Sequence, residues 1–114
     1  MKLLDAKISI PELHQMAQAT FGNLVKAVVD IQRRLIVVDA ELHSDEEAFL
    51  LENGSRQQDL WGINFYPDFD RHSPEFIEFD SMINLRPSQN NKSRLVEDEE
   101  IKRAIISIVD EWIP

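Results

Sequence analysis

LVKAVVDIQRRLIVVDAELH, residues 24–43, is the stretch that decides the fold. It is rich in Val and Ile, whose β-branched side chains favour strands and lose rotamer freedom in a helix. The polar Gln32-Arg33-Arg34 at its middle predicts a tight turn, so we expect two strands joined as a hairpin. One long helix is the competing interpretation, and the β-branched content argues against it.

Helices are predicted on both sides of this hairpin. Ser9-Ile10-Pro11-Glu12 is a capping box that starts a short amphipathic helix, which ends near Gly22. Ser44-Asp45-Glu46-Glu47 is a second capping box and predicts a helix up to Gly54. Asn53-Gly54 is also a hairpin signal, but the polar residues 55–58 make a poor strand, so we prefer the helix.

The second half of the chain predicts two more strands and a closing helix. Residues 59–67 and 76–87 have the apolar content of strands, and the proline-containing segment between them is typical of an exposed hairpin loop. A helix is predicted from the N-cap Asp98 to near Ile113. The order α-β-β-α-β-β-α predicts an α+β fold. We expect a single domain over residues 1–114, with a four-stranded, mainly antiparallel sheet and the helices packed on one face.

The charge and composition of the chain limit its partners. With 21 acids against 12 bases and a net charge of −9, nucleic acid is not expected, because proteins bind it by neutralising phosphates with Lys and Arg. The absence of cysteine excludes disulfides and thiolate chemistry. The N-terminal MKLLDAKISI lacks the uninterrupted apolar region of a signal peptide, and no apolar run suggests a membrane span. A soluble cytoplasmic protein is therefore predicted.

Alternation along the strands predicts one apolar and one mixed face of the sheet. The helices should cover the apolar face, which is expected to hold Val25, Ala27, Val29, Ile31, Ile36, Val38, Ala40, Leu42, Trp61, Ile63, Phe65, Ile77, Phe79, Ile83 and Leu85. The mixed face is expected to hold the polar or small residues Asp39, Glu41, His43, Gly62, Asn64, Asp80, Asn84 and Arg86, with Val37, Leu60, Tyr66 and Met82 among them. Such a face suits a polar ligand or proton transfer, and Gly62 would let a ligand approach the backbone. A solvated surface or a homodimer patch are the open alternatives.

A basic loop, Arg86–Arg94, stands out in this acidic chain. Arg86 and Arg94 could hold a carboxylate or phosphate in bidentate fashion, although a solvated connector is also consistent with the polar sequence. The loop and the mixed face together give one set of candidate ligand-binding residues: Glu41, His43, Asn64, Asp80, Asn84, Arg86 and Arg94.

The sequence evidence for a metal site or a catalytic nucleophile is weaker than that for a ligand-binding surface. Asp39, Glu41, His43 and Asp45 are ligand types that suit divalent ions, but they do not form a complete ligand set with a recognised spacing. Ser81 lies in no strand-turn-helix elbow, and the chain has no glycine-rich phosphate loop. We therefore predict no metal site, and no cofactor can be assigned.

Three segments carry a family resemblance: VKAVVDI, ELHSDEEAFLLENGSRQQDLWGINFYP and IEFDSMINLRPSQNNKSRLVED. They resemble a small bacterial family catalogued only as a domain of unknown function, and the resemblance runs from about Ile8 to Ile113. It implies a bacterial, cytoplasmic, stand-alone domain. It implies no activity and no site residues.

Two functions remain open at this point. The preferred prediction is a binding or interaction module that recognises a small anionic ligand or a protein partner through the mixed face and the basic loop. The alternative is a small metal-assisted hydrolase, with Glu41 and His43 as acid/base or ligand and Arg86 as an electrophilic clamp.

Overall fold

Five strands and three α-helices make up the protein, and its computed structural model describes all 114 residues. In chain order the elements are β1 (Lys2–Leu3), α1 (Ile10–Ala19), β2 (Val25–Asp30), β3 (Leu35–Val38), α2 (His43–Glu52), β4 (Leu60–Phe65), β5 (Ile77–Glu78) and α3 (Glu99–Trp112). The strands form one antiparallel sheet in the order β1-β3-β2-β4-β5. The α+β class is confirmed. The predicted four strands become five, because the short N-terminal strand β1 pairs with β3.

The hairpin over residues 24–43 is confirmed. Strands β2 and β3 pair with Val28 opposite Val37, and the turn lies between Asp30 and Leu35. The Asp30 carboxylate closes this turn by accepting hydrogen bonds from the backbone N–H groups of Gln32 and Arg33, both at 2.9 Å. A side-chain cap of this kind stabilises a turn that Val and Ile on either side could not form alone.

Helices α1 and α3 cover the first face of the sheet. Leu13 and Ala17 of α1, and Ile105, Ile108 and Val109 of α3, are buried against it. The strands contribute the alternate residues that the sequence predicts for this face: Val25, Ala27, Val29, Ile36, Val38, Trp61, Ile63 and Phe65. Burial of this apolar area, at about 25 cal/mol per Å², is the main stabilisation of the fold.

Helix α2 lies on the opposite face, so the prediction that all helices pack on one face is wrong. Leu50 of α2 packs with Val28, Val37 and Leu60, which point away from the first core. Each of these strand residues is apolar, so the second face can bury a helix as well. The helix signal was real, but its docking face could not be read from α2 itself, because titratable side chains share its buried side.

The predicted strand over residues 76–87 is mostly wrong. Regular pairing stops at Glu78, and Met82–Asn84 and Pro87–Gln89 form 3-10 turns instead. The Ser81 hydroxyl accepts from the backbone N–H of Ile83 at 3.2 Å and starts the first of these turns. Ile83 consequently packs against the second face and Leu85 is exposed, although alternation predicts both on the apolar face.

The helix starts show two kinds of outcome. The Ser9–Glu12 capping box is present, with both reciprocal hydrogen bonds, and Asp98 caps α3 through the backbone N–H of Glu100. The second predicted capping box is wrong, because α2 begins at His43 and its N-cap, Leu42, has no side-chain oxygen that could accept from the first backbone N–H groups of the helix. None of the three helices has the length and apolar content that crossing a bilayer would need.

Candidate functional site

The predicted site residues lie in different surroundings on the second face. His43, Asn64, Asn84 and Arg86 are buried, Asp80 is half-buried, and Glu41 and Arg94 are exposed. Hydrogen bonds divide most of this set into two groups. His43, Asn64, Asp80 and Arg94 lie around the start of α2, whereas Arg86 lies on the far side of Asn84 against Trp61.

Two members of the first group, His43 and Arg94, line a small cleft of about 140 Å³ at the N-terminus of α2, while Asn64 and Asp80 lie behind them. Its walls are formed by Lys26, Leu42, His43, Ser44, Ser81, Met82, Ile83 and Arg94. Two cationic side chains, an imidazole and two hydroxyls therefore face one cavity. Chemically, this is a set of hydrogen-bond donors with positive charge and no carboxylate among the wall residues.

His43 lines this cleft and is only 8% exposed. Its Nε2 lies 2.8 Å from the carbonyl oxygen of Ile63, which can only accept, so Nε2 carries the proton and Nδ1 is an acceptor in the neutral ring. Burial lowers the pKa of His43 below its usual range, and the charge of Lys26 acts in the same direction. The hydrogen bonds to Ile63 and Asn64 and the charge of Asp80 oppose this shift without reversing it.

Arg94 is held at the cleft by its backbone and by its side chain. Its carbonyl oxygen accepts from the backbone N–H of Ser81 and from Asn84 Nδ2, both at 3.0 Å. Its Nε lies 2.8 Å from Asp80 Oδ1, while its two terminal nitrogens have no protein partner. Those two nitrogens remain available to an incoming acceptor.

Lys26 is the wall residue that the sequence interpretation missed. It lies on β2, half-buried, and its Nζ is 5.2 Å from the centre of the Phe21 ring, with no carboxylate in salt-bridge range. Its strand parity with Val28 places it on the second face, so alternation could have found it. No charge motif marks it, because it stands among apolar residues and belongs to no cluster of charges.

The start of α2 adds backbone donors to this cleft. Leu42, His43 and Ser44 line it, and no side chain caps the first N–H groups of the helix. Free N–H groups at a helix start favour negative charge nearby. Asp45 in the same turn opposes an anion, whereas Glu46 does not, because burial raises the pKa of its carboxyl to about 10 and keeps it neutral.

Arg86 does not take part in this cleft. Its guanidinium donates to the carbonyl oxygens of Gln57 and Leu60 and lies 4.1 Å from the centre of the Trp61 ring. Burial lowers the pKa of Arg86 below its usual range, and the negative charge of Glu47 partly compensates. These contacts commit two of its three nitrogens to the backbone, so the side chain fixes the entry to β4.

Asn84 and Gly62 form a structural contact instead of a ligand subsite. The backbone N–H of Gly62 donates to Asn84 Oδ1 at 2.8 Å, and Asn84 Nδ2 donates to the carbonyl of Gly62 at 2.9 Å. The asparagine side chain thus replaces a neighbouring strand. Ser81 fills the space over Gly62, since a Cβ there would stand 2.5 Å from Ser81 Cβ, so the expectation that a ligand approaches Gly62 is wrong.

Glu41 lies outside the cleft and makes no hydrogen bond or salt bridge to the other predicted residues. The arrangement of Glu41, His43 and Arg86 on which the hydrolase alternative depends is therefore not assembled. No group of three or more His, Cys, Asp or Glu side chains lies close enough together to hold a metal ion.

These features define a small α+β domain: a five-stranded antiparallel sheet between two helices on one face and a single helix on the other, with a cationic cleft beside the single helix. The chain belongs to the family described as a protein of unknown function, DUF5674, whose model matches residues 2–112. This confirms the resemblance to a domain of unknown function. Neither a curated protein nor a solved structure gives a significant match to the chain.

Proposed function

We propose that the protein is a non-catalytic binding module that takes a carboxylate or phosphate group, carried by a small ligand or a protein partner, in the cleft at the start of α2. The observation that carries this proposal is the set of unused cationic donors at the cleft. Lys26 has no carboxylate in salt-bridge range, and Arg94 pairs with Asp80 only through Nε, which leaves its two terminal nitrogens without a partner, in a chain of net charge −9. Donors that the surrounding acids leave unused in such a chain favour an external anion.

The size of the cleft favours one oxyanion group over a whole metabolite. At about 140 Å³ it is smaller than the sites that enclose drug-sized ligands. Leu42 and Met82 on its rim are 54% and 62% exposed, and they would contact the remainder of the ligand. An anionic group attached to an apolar body, such as an acidic or phosphorylated side chain within an apolar peptide, matches both features.

The pH dependence of binding follows from His43. Because its pKa lies below the usual range, the ring of the free protein is neutral at neutral pH. A bound anion favours the imidazolium form of His43 and so raises its pKa. Anion binding is therefore accompanied by uptake of a proton by the His43 ring. We therefore expect affinity for an anion to increase as the pH falls through the range in which His43 titrates.

Titration of the protein with inorganic phosphate and with acetate, followed by ¹H–¹⁵N spectra and by thermal melting, tests this proposal. Saturable shifts confined to the cleft, with a rise in melting temperature, are expected. Lys26→Met and Arg94→Gln should each weaken phosphate binding several-fold. Lys7→Met and Arg103→Gln, which remove exposed cations outside the cleft, should leave it unchanged. Equal weakening of phosphate binding by all four variants would mean that binding depends only on the net charge of the protein, and it would contradict the proposal.

The family resemblance supports a bacterial, cytoplasmic protein. Exposed Leu42 and Met82, together with Leu85 and Leu95 of the following segment, support a second copy of the chain as the alternative occupant of this surface. The molar mass in solution, measured by light scattering, distinguishes the two states. A homodimer should show twice the mass of the chain and lose it in Met82→Glu, whereas a monomer that binds a different partner should show the mass of one chain in both proteins.

A further inference from the structure

The imidazole of His43 has an acceptor atom that the protein leaves unused. Because Nε2 donates to the carbonyl of Ile63, Nδ1 of the neutral ring carries a lone pair and no proton. Nδ1 makes no hydrogen bond, and the side-chain atoms that are both buried and unpaired belong to other residues. Nδ1 is therefore accessible from the cleft at the start of α2, which His43 lines although the residue is only 8% exposed.

Asn64 lies beside the ring but supplies no donor for Nδ1. Its amide nitrogen donates to Glu78 Oε1 at 2.8 Å and to the carbonyl of Asp80 at 3.2 Å. The other amide atom, Oδ1, is an acceptor and is itself buried without a partner, so only a protonated ring could donate to it. The donor for Nδ1 of the neutral ring must come from the contents of the cleft, which are solvent in the free protein and a ligand in the complex.

The other walls of the cleft supply donors and positive charge. Lys26 on β2 has no carboxylate in salt-bridge range, and the terminal nitrogens of Arg94 have no protein partner. Two acids lie close by: Asp80, which pairs with Arg94 Nε, and Asp45 in the first turn of α2. A ligand that matches these walls and His43 together carries negative oxygens and one hydroxyl on the same group.

We infer that the cleft recognises phosphate in a form that keeps a hydroxyl: inorganic hydrogen phosphate, or a phosphomonoester that carries one proton. This inference rests on the anion binding proposed above and names the anion that is preferred. The P–OH donates to His43 Nδ1, and the unprotonated oxygens accept from Lys26, Arg94 and the free N–H groups at the start of α2. Sulfate, carboxylates and phosphodiesters have no proton at neutral pH, so they place an oxygen lone pair against that of Nδ1.

The proton also separates these anions by their pH dependence. Burial lowers the pKa of His43, so the ring is neutral at neutral pH, and the charges of Lys26 and Asp80 act on it in opposite directions. Acetate and sulfate take up a proton on His43 as they bind, and their affinities should rise as the pH falls. Inorganic phosphate supplies the proton itself, so its affinity should vary less with pH. A phosphomonoester loses its last proton near about pH 6, so it should bind best below neutral pH.

Spectral titration of the intact chain at pH 7.5 tests this inference, with ¹H–¹⁵N spectra of the backbone and of the imidazole rings. Phosphate should bind about tenfold more tightly than sulfate or dimethyl phosphate, which have the same tetrahedral shape and no hydroxyl. The His43 ring should stay neutral in the phosphate complex, with its proton on Nε2. An imidazolium ring in that complex would mean that Nδ1 donates, and it would overturn the inference.

His43→Gln removes the acceptor, and its amide nitrogen can still donate to the carbonyl of Ile63. Phosphate affinity should fall about tenfold, to that of sulfate, while sulfate affinity changes little. His72→Gln, at an exposed histidine outside the cleft, should change neither affinity. If His43→Gln does not fold, the phosphate-to-sulfate ratio and the ring protonation of the natural protein decide the question.

The outcomes separate this inference from the proposed function. Equal affinities for phosphate and sulfate at pH 7.5 would overturn the preference for a hydroxyl and leave anion binding in place. If phosphate, sulfate and acetate all fail to bind, the proposed function fails as well. A phosphoserine peptide with leucine on both sides, titrated at pH 6, identifies the source of the phosphate. Tighter binding than that of inorganic phosphate supports a phosphorylated protein segment, and weaker binding supports free phosphate.

Discussion

The two faces of the sheet bury their helices through different kinds of contact. On the first face, α1 and α3 pack an almost wholly apolar cluster of 18 buried residues against the strands. On the second face, α2 shares a cluster of only four buried apolar residues, with Leu35, Phe49 and Ile83 partly buried against it, and polar side chains such as Asn84 and His43 are buried on the same face. The first face therefore depends on buried area, and the second depends on specific hydrogen bonds.

This difference bears on the proposed binding function as well as on stability. The buried side of α2 carries His43 and Glu46 next to Leu50, and both titratable groups have pKa values shifted by burial toward the neutral form. Neither residue is needed to fill an apolar core, since Leu or Met would do so more cheaply. Polar groups retained under a helix beside a cationic cleft are consistent with a binding face, and the variants below test that contrast.

The largest effect is expected from Asn84→Ala on the second face. Asn84 is fully buried, and the change leaves the N–H and carbonyl of Gly62 without their partners, while the carbonyl of Arg94 loses one of its two donors. Each buried group left unpaired costs about 1–3 kcal/mol, so unfolding free energy should fall by about 3 kcal/mol or more. Urea denaturation measures it, with the exposed Asn23→Ala as the control. A loss below that of an ordinary surface change would mean that the second face does not depend on this amide.

Gly62→Ala should cause the next largest loss of unfolding free energy. A Cβ at this position would lie 2.5 Å from Ser81 Cβ and 2.7 Å from its Oγ, so β4 and the segment over it must separate. Overpacking of this kind costs roughly 1–3 kcal/mol. Combining it with Ser81→Gly removes the clashing atoms, and the double variant should then be more stable than the sum of the two single changes allows. Simple additivity would show that the close approach of Ser81 does not limit position 62.

Glu46→Gln should raise stability at alkaline pH. The carboxyl is fully buried, and burial raises its pKa from the ordinary 4.5 to about 10, against the hydrogen bond from the Ala40 N–H and the charges of the N-terminus and Lys26. The folded state thus binds a proton that the unfolded chain has lost, so stability is complete below pH 4.5 and declines as the pH rises toward 10.

The neutral amide of Glu46→Gln removes this decline. At pH 9 the variant should exceed the natural protein by at least about 1.4 kcal/mol, the free energy of one pKa unit. Chemical denaturation at a series of pH values measures the two slopes. Glu52→Gln, an exposed acid on the same helix, should leave the slope as it is. Parallel pH profiles for the natural protein and Glu46→Gln would show that Glu46 is ionised in the folded state.

Sequence patterns predict the first face well because apolar alternation and helix caps are local signals. The hairpin at residues 24–43, the capping box at Ser9 and the cap at Asp98 all follow from neighbouring residues alone. The second face is harder, since Asn84 replaces a strand with a side-chain amide and Arg86 binds carbonyls more than twenty positions away in the chain. Residues 80–87 alternate as a strand would, and nothing local reveals that these polar side chains have taken over the backbone pairing.

Arg94→Gln should have the smallest effect on stability and separates the scaffold of the second face from its binding surface. The Arg94–Asp80 pair is 2.8 Å long, but the two side chains are 55% and 33% exposed, so its loss should cost less than about 1 kcal/mol. The contacts that position residue 94 use its backbone carbonyl and persist in glutamine. Urea denaturation should therefore find a nearly unchanged protein, while phosphate titration finds affinity reduced several-fold. If stability instead fell as far as in Asn84→Ala, Arg94 would belong to the buried hydrogen-bond network, and the second face would be a core with polar parts and not a binding surface.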